Sequence, residues 1–317
     1  MPIAIVCRSV GGFGVKFVLA AFGLSAAFLC ASLPAHAAAC PTDAGASAET
    51  PVIHVATAGG PAYGAMQYPL TVKLAPKQVA LTFDDGPNPE TTPQILDILD
   101  RHCVKATFFM VGIYAERHPE IVREVAARGH TIGAHTWSHP NNMRHLSTAN
   151  AQREIRRGFE AIEGALASAP AEQRERLAPF FRFPGLNDSK PLIGWLGKRN
   201  IATLSCEFGS DDWRPISAAE VKRRSLRNIA SVGQGIIILH DTKPRTAAML
   251  SSFIVELRAR GYEIVQLAPE AGAREMAAAA PDPLLRPVYR ADAEPQAQSA
   301  ALEPVLKPSL EPQGELR

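Results

Sequence analysis

Cysteine is scarce in this sequence, and its distribution excludes a fold built on disulfide bonds. The 317 residues include five cysteines. Cys7 and Cys30 lie in an N-terminal segment that we expect to be removed, which leaves Cys40, Cys103 and Cys206. Three cysteines do not make a paired framework, although one bridge is compatible with an oxidising compartment. Cys103 and Cys206 adjoin apolar segments, where a buried thiol is the ordinary arrangement, and we assign them no role.

The N-terminal segment is typical of a secretory signal peptide. Arg8 and Lys16 precede the apolar run 17–33, and a small-residue cleavage site ending at Ala37 follows that run. A transmembrane anchor needs about 20 apolar residues without such an ending. We therefore expect a secreted or periplasmic protein without a transmembrane anchor. Lipidation at Cys40 is an alternative, because residues 37–40 loosely resemble a lipoprotein box.

Net charge is absent from the chain that follows this segment. Residues 1–37 contain two of the 33 basic residues and no acidic residue, so 31 basic and 31 acidic residues remain. A nucleic-acid-binding surface requires concentrated positive charge. The basic cluster Lys222-Arg223-Arg224, with Arg227, falls on a helical pattern and is typical of a solvated helix face. We do not expect nucleic acid as a partner.

Composition divides the remaining chain into three segments. Residues 38–76 are rich in Ala, Thr, Pro and Gly without a sustained period, and are interpreted as a linker or N-terminal arm. Residues 77–268 alternate strand and helix patterns in about seven units. This alternation predicts one α/β domain with a parallel sheet, either a barrel or a doubly wound layer. Residues 269–317 are rich in Pro, Ala and Glu, and we expect a disordered tail there.

The strand and helix patterns of the central segment are short and close together. A helix is expected from Thr92, with Pro93 in its first turn. Further helices are predicted at 119–128, 148–166, 217–229 and 251–260. Strands are predicted at 79–83, 106–111, 131–134, 180–183, 201–206, 236–239 and 262–267.

Two adjacent carboxylates follow the first predicted strand. Asp84 and Asp85 come directly after the apolar run 79–81 and Thr82-Phe83, and Gly86-Pro87 prevents the strand from continuing. α/β folds place their active sites at such strand ends. Like charges this close repel, and a metal ion or one shared proton would relieve the repulsion. The alternative interpretation is a turn in which Asp, Gly and Pro are favoured by geometry alone.

Two histidines four residues apart follow the third predicted strand. His135 and His139 have the spacing that lets two imidazoles on one helical turn share a metal ion. Combined with Asp84 and Asp85, they offer a His, His, Asp ligand set with a second carboxylate beside it. Three protein ligands and one open position are typical of catalytic zinc sites. A chance pair of histidines on a turn is the alternative.

Three later segments are also polar at the ends of apolar runs. These segments are Leu239-His240-Asp241, Asp211-Asp212-Trp213, and Arg182 within Phe181–Gly185. Considered alone, each has an ordinary structural explanation. In the same order, these are a histidine whose hydrogen bonds are satisfied at a strand end, an acidic turn, and a strand that ends in a Pro-Gly turn.

In this order, the five segments resemble the motifs of the polysaccharide deacetylase family, also called carbohydrate esterase family 4 or the NodB homology domain. The resemblance covers residues 77–267 and is most specific at Thr82–Pro87, His135–His139 and Leu239-His240-Asp241. It implies a distorted (β/α) barrel with a metal at the C-terminal face of the strands. It also implies a hydrolase that acts on an acetylated polysaccharide.

The resemblance further implies a role for each matching residue. Asp84 would be the general base, oriented by Arg182, and His240 would be the general acid, hydrogen-bonded to Asp212. A divalent metal, zinc in the first place, with cobalt, nickel or another ion as alternatives, would be bound by Asp85, His135 and His139. The substrate would contact Trp213, Ile238, Leu239 and Pro184.

The third motif departs from the family pattern. The family commonly shows Arg-Pro-Pro-aromatic-Gly, whereas Arg182-Phe183-Pro184-Gly185 is one residue shorter, and Ile238 replaces the usual Leu.

The expected reaction is removal of N-acetyl groups from N-acetylhexosamine units of peptidoglycan, a chitin-like polymer or an exported glycan. The alternatives are an O-acetyl esterase on an acetylated glycan, a small cyclic amide hydrolase with the same metal site, and a silent domain that binds cell-wall polymer.

Overall fold

The computed structural model of the protein describes residues 50–288. The expected signal peptide and the end of the expected tail lie outside these residues. The helices are α1 Thr92–Arg101, α2 Gly112–Arg117, α3 Pro119–Ala127, α4 Thr148–Leu166, α5 Ala171–Arg174, α6 Lys190–Gly197, α7 Ala218–Val232, α8 Pro244–Ala259 and α9 Ala273–Ala278. The strands are β1 Val52–Val55, β2 Ala62–Tyr63, β3 Gln78–Asp84, β4 Thr107–Met110, β5 Thr131–Ala134, β6 Leu177–Phe181, β7 Ala202–Leu204, β8 Phe208–Gly209, β9 Gly235–His240 and β10 Glu263–Pro269.

All named strand pairs are parallel, and helices surround the sheet. The strand order is β1-β10-β3-β4-β5-β6-β7-β2, with β9 paired to β3 and β8 paired to β9. Strand β3 contacts β10 along its first residues, β4 along its last residues and β9 along most of its length. The predicted α/β fold of a distorted barrel is confirmed. The seven predicted strands are all present, and β1, β2 and β8 are additional short strands.

The parallel register brings the polar residues at the strand ends to one face of the sheet. Asp84, the last residue of β3, pairs with His240, the last residue of β9. His135 directly follows β5, and Arg182 directly follows β6. Because parallel strands end on the same side, residues far apart in sequence become neighbours there.

Alternation along the strands separates two hydrophobic clusters. Leu81 and Phe83 of β3 belong to the larger cluster, which includes side chains of the surrounding helices, whereas Ala80 belongs to the smaller one. In β9, Leu239 lies in the larger cluster and Ile238 packs against the smaller one. Successive side chains of a strand point to opposite faces, so Leu239 points away from the face that carries His240.

The segment before the predicted domain is part of the sheet. Strand β1 pairs with β10, where Val52 is opposite Gln266, and β2 pairs with β7. The interpretation as a linker is therefore wrong for residues 50–76. Strand β1 is four residues long and β2 is two residues long, and such short segments have no period that the sequence alone reveals.

The C-terminal side also remains ordered further than expected. Strand β10 reaches Pro269, helix α9 follows at Ala273–Ala278, and Leu284 and Leu285 are buried in the larger cluster. The expectation of a disordered tail from residue 269 is wrong for residues 269–288. The helix fits between Pro269 and Pro281, so the prolines do not interrupt it.

The two cysteines of the described residues differ in their bonding. Cys103 is disulfide-bonded, so the expected buried thiol is wrong at this position. Cys206 is a free buried thiol, as expected.

None of the helices in residues 50–288 combines the length and the apolar composition that crossing a bilayer requires.

Candidate active site

A cavity of about 680 Å³ opens at the C-terminal ends of the strands. It is lined by seven of the predicted site residues, namely Asp84, Asp85, His135, His139, Trp213, Ile238 and His240. Arg182 and Asp212 are fully buried and do not line the cavity. Arg182 contacts Asp84, and Asp212 contacts His240. The structure therefore brings together residues from the loops and ends of β3, β5, β6 and β9.

Three side chains converge as a candidate metal centre. One ligand atom each from Asp85, His135 and His139 lies within 4.8 Å of the others. The Asp85 Oδ1 atom is 3.1 Å from Nε2 of His139 and 3.6 Å from Nε2 of His135. Asp85 and His139 both have positive φ angles, 77° and 57°. This backbone conformation is uncommon outside glycine and is concentrated at functional sites.

The environment of His135 leaves a lone pair facing this cluster. Its Nδ1 atom is 2.8 Å from the backbone carbonyl oxygen of Arg182. Because a carbonyl oxygen only accepts, Nδ1 must carry the proton and donate it. In the neutral ring, Nε2 then presents its lone pair to the cluster, as in histidines that bind metals. The ring is thus held in the tautomer that a metal requires.

The carboxylate of Asp85 gives a second test of fit. Its Oδ1 atom is buried and has no hydrogen-bond partner within the described part of the chain. Burial by itself raises the pKa of Asp85, but the adjacent imidazoles of His135 and His139, together with the charge of His240, lower that pKa well below its usual range. An ionised, unpartnered oxygen facing two imidazole nitrogens is a suitable ligand for a divalent ion. The residues present therefore fit a metal.

Asp84 is held apart from this cluster by Arg182. The guanidinium Nη1 donates to Asp84 Oδ1 over 2.6 Å and to Thr82 Oγ1 over 2.8 Å. Its Nε and Nη2 atoms donate to the carbonyl oxygens of Leu204 and Ser205. Arg182 is completely buried, yet four protein acceptors surround it. This arrangement satisfies a buried cation and fixes the position of one carboxylate.

The imidazole of His240 is paired with Asp212. Nδ1 of His240 is 2.6 Å from Asp212 Oδ1, while the backbone N–H of His240 and the hydroxyl of Thr246 donate to Asp212 Oδ2. Burial lowers the pKa of His240, but Asp212, and more weakly Asp85 and Asp84, raise it to about 9. Burial raises the pKa of Asp212, and its bonds to His240 and Thr246 outweigh that effect and lower it. His240 is therefore a cation at neutral pH.

Two predicted substrate contacts are not on the cavity wall. Leu239 is fully buried in the larger hydrophobic cluster, on the opposite face of β9 from His240. Pro184 is buried in a tight turn, and its neighbours Phe183, Gly185 and Leu186 line the cavity. Leu239 and Pro184 therefore do not line the cavity, although the resemblance predicted both as substrate contacts. Trp213, with 60% of its surface exposed, and Ile238 do line it.

Met66 lines the cavity and was not predicted from the sequence. It comes from the N-terminal arm, whose backbone N–H at Met66 donates to Cys206. The neighbouring Gln67 donates to the carbonyl oxygen of Leu186 and accepts from Ser205. No sequence motif marks Met66, since its position depends on contacts about 140 residues away in the chain.

Asp241 lies beneath the site and is completely buried. Thr92 donates to its Oδ2 atom over 2.6 Å, and the Thr91 hydroxyl donates to its backbone carbonyl oxygen. A Cβ atom at Gly86 would collide with this carboxylate, so glycine is required there. Burial raises the pKa of Asp241 to about 7. The signal for Asp241 was its place directly after His240 at a strand end.

The fold and site first define a class: a distorted (β/α) barrel with a candidate mononuclear metal centre, a separate carboxylate and an imidazolium at one end. The chain belongs to the polysaccharide deacetylase family. The family model described as polysaccharide deacetylase matches residues 71–193. The resemblance predicted from the five motifs is confirmed.

Relatives and solved structures agree with this assignment. A chitooligosaccharide deacetylase from Sinorhizobium fredii is 34% identical over 204 residues, which cover 60% of this chain and 89% of the relative. The peptidoglycan deacetylase Bd3279 of Bdellovibrio bacteriovorus has a similar structure, with a TM-score of 0.62 and 32% identity over 71% of this chain and 60% of the other.

A third relative is considerably longer than the matched region. Peptidoglycan-N-acetylglucosamine deacetylase PgdA from Listeria monocytogenes is 30% identical over 191 residues, which cover 60% of this chain and 38% of the relative. The match therefore spans well under half of that protein.

Proposed function

We propose that this protein is a divalent-metal-dependent hydrolase that removes N-acetyl groups from N-acetylhexosamine units of a polysaccharide. The names of its relatives, deacetylases of peptidoglycan and of chitooligosaccharides, support this bond and this substrate class. One observation carries the proposal: three ligands converge on a point, while a separate carboxylate, Asp84, and a cationic imidazole, His240, line the same cavity.

Asp85, His135 and His139 would hold the metal. When bound there, a divalent ion supplies a Lewis acid for the acetyl carbonyl group and makes a water molecule more acidic. Two histidines and one carboxylate with an open position favour zinc. The same donor set also suits cobalt and nickel, because the affinity order and the availability of each metal decide which ion occupies the site.

Asp84 accepts the proton of the attacking water. Its carboxylate lines the cavity next to the ligand Asp85, and the 2.6 Å hydrogen bond from Arg182 fixes its direction. A base must be aimed before its basicity matters. Arg182 is itself fixed by Leu204 and Ser205, so Asp84 needs no rearrangement when the water arrives.

His240 donates the proton that the leaving amine needs. Breaking an amide requires protonation of its nitrogen, and an imidazolium is a suitable donor near neutral pH. Asp212 keeps His240 protonated, because it accepts the Nδ1 proton and raises the pKa of His240 to about 9. The Nε2 proton is then the one available to the substrate. Trp213 and Ile238 supply an apolar wall for the acetyl methyl group.

The test is acetate release from N-acetylglucosamine oligomers by the purified protein, after chelation and again after a divalent metal is restored. Activity that is lost with chelator and recovered with metal supports the proposal. Asp84→Asn should lower turnover by about 10²–10⁴-fold while metal content is unchanged. Undiminished release by that variant contradicts the assignment of the base.

The same assay distinguishes the other reactions that this site could serve. The substrate panel includes O-acetylated xylan and a cyclic amide beside the N-acetylated oligomers. Release of acetate from xylan alone identifies an esterase, and ring opening alone identifies a cyclic amide hydrolase. Polymer binding without any turnover at saturating metal identifies a silent binding domain, although the presence of Asp84 and His240 argues against that outcome.

We further propose that residues 1–37 direct export and are removed. The supporting features are the two basic residues, the apolar run and the small residues that end at Ala37. The protein would then act in the periplasm or outside the cell, where cell-wall polymers occur. N-terminal sequencing of the exported protein tests the cleavage site, and a lipid on Cys40 would appear as added mass.

A further inference from the structure

A second cavity, of about 460 Å³, adjoins the candidate metal centre. Asp85 and His139 line both this cavity and the larger one, so the two spaces meet at these two ligands. The second cavity continues to helix α2, which contributes Tyr114 and Arg117, and to the start of α8, which contributes Lys243. A polymer whose acetyl group reaches the metal would therefore place an adjoining part of the chain in this space.

The second cavity is rich in positive charge. Arg117 and Lys243 line it, and Asp85 is the one acidic residue among its lining residues. The charge of Asp85 would be offset by the metal that it binds. Helix α8 begins directly after Lys243, and the N-terminal end of a helix adds partial positive charge. The cavity thus presents a positive potential beside the candidate metal centre.

The cations of this cavity are not used by the protein itself. Within residues 50–288, neither Arg117 nor Lys243 has an ion-pair or side-chain hydrogen-bond partner. Several other arginines of the described residues are bound by acids, such as Arg128 by Asp97 and Asp100. Two unpaired cations from separate elements, placed in one cavity beside the site, favour an anionic ligand over a solvated surface.

An exposed aromatic ring lies in the same cavity. Tyr114 has 39% of its surface exposed and lines the cavity with Arg117, which is three residues further along the chain. A tyrosine ring offers an apolar face and a polar tip, which suits the face of a sugar ring. A sugar that carries an anionic group would contact the ring and the cations together.

We propose that this second cavity is a subsite for a carboxylate carried by the polymer next to the sugar that is deacetylated, with Arg117 and Lys243 as its ligands. The substrate is then an acidic hexosamine polymer, in which a neighbouring sugar bears an ether-linked acid or a peptide, and not a neutral chitin-like chain. This inference rests on the proposed deacetylase function, because it names the substrate of that reaction.

The experiment compares matched substrates that differ in one charge. The first is an oligomer of alternating N-acetylglucosamine and a carboxylated N-acetylhexosamine, and the second is the same oligomer with its carboxylates converted to amides. The ratio of kcat/KM for the carboxylated over the amidated oligomer measures recognition of the charge. Oligomers with and without attached peptides then identify which carboxylate is bound, the ether-linked acid or the peptide.

The double variant Arg117→Gln/Lys243→Gln should lower this ratio about tenfold, which is the effect of two partly exposed ion pairs. The matched control is Lys198→Gln/Arg227→Gln, which removes the same charge from two exposed residues that line neither cavity. The control should keep the wild-type ratio. Lys243→Glu, a single exchange at the surface, should lower the ratio further and provides a second variant if the double variant folds poorly.

The outcomes separate this inference from the function on which it rests. A wild-type ratio near one, or a ratio that the double variant and its control change equally, overturns the carboxylate subsite while deacetylation stands. Failure of the wild-type protein to release acetate from either oligomer, with metal present, overturns the deacetylase function itself. A ratio that falls as salt is added supports the charge-based subsite, because ion pairs at the surface are screened.

Discussion

Arg182 donates a 2.6 Å hydrogen bond to Asp84, a residue 98 positions earlier in the chain. The two residues are at the ends of β6 and β3 and are both buried. The other donors of the guanidinium are bound by Thr82, Leu204 and Ser205. The proposed base is therefore held by the same side chain that connects several strands of the barrel.

Replacing Arg182 should destabilise the protein strongly. Arg182→Met leaves the carboxylate of Asp84 buried without its partner, which costs about 3–5 kcal/mol. Urea denaturation measures this loss. The double variant Asp84→Asn/Arg182→Met carries no unpaired charge and should recover part of it. If the double variant is as unstable as the sum of the two single variants, the two residues are not coupled and the pairing contributes nothing.

Asp84 and Asp85 should respond differently to substitution, although they are adjacent. Asp85→Ala removes a ligand of the candidate metal and should lose bound metal and activity together. Asp84→Asn keeps the three ligands and should retain metal, while the rate falls by about 10²–10⁴-fold, the usual contribution of a general base. Metal content by mass spectrometry and acetate release are measured on the same samples. Equal metal loss in both variants would show that Asp84 also binds the ion.

The pH dependence of the rate should depend on Asp212. His240 has its pKa raised to about 9, with Asp212 as the main cause, so it is protonated below that pH and loses its proton as the pH rises. A bound metal offsets Asp85 and moves the alkaline limb of the rate profile below 9. Asp212→Asn removes the partner's charge, lowers the pKa of His240, and should move this limb to lower pH by about one unit or more.

A variant that changes hydrogen bonding without charge is the control for this shift. Thr246→Val removes the hydroxyl that donates to Asp212 Oδ2 and leaves the carboxylate in place. The alkaline limb should move less than in Asp212→Asn. A limb that stays fixed in both variants would mean that His240 is not the titrating acid.

Leu239 and Ile238 should differ in what their removal affects. Leu239→Ala leaves a hole in the larger hydrophobic cluster and should lower the free energy of unfolding by about 2–5 kcal/mol. Ile238→Ala opens the wall of the cavity instead, so KM should rise while the loss of stability is smaller. Thermal denaturation and steady-state kinetics on both variants check this. The reverse pattern would restore Leu239 as a substrate contact.

The residues at strand ends were predictable because the fold places them by a simple rule. Asp84 and His240 are the last residues of apolar strands and His135 directly follows one, and parallel strands end on one face. The orientation of Leu239 was also within reach, since the two-residue period of a strand separates it from His240. The position of Met66 was not predictable from the sequence, because it depends on hydrogen bonds of Gln67 to residues more than 100 positions away.

The ordered segments at both ends escaped prediction for a related reason. Strand β1 has four residues, and its register with β10 is set by a partner more than 200 residues later. Leu284 and Leu285 follow a proline-rich pattern, and only the tertiary structure shows the apolar site that buries them. Local patterns indicate where a strand begins, but they do not identify a distant partner.

Strands β1 and β2 have a protective effect on the sheet. They cover edges of β10 and β7 whose backbone N–H and C=O groups would otherwise face solvent. Exposed strand edges pair with other molecules and promote aggregation. A protein that begins at residue 71, where the match to the family model starts, and keeps the rest of the chain would lose both strands. We therefore expect the shortened protein to aggregate, although every proposed catalytic side chain is still present.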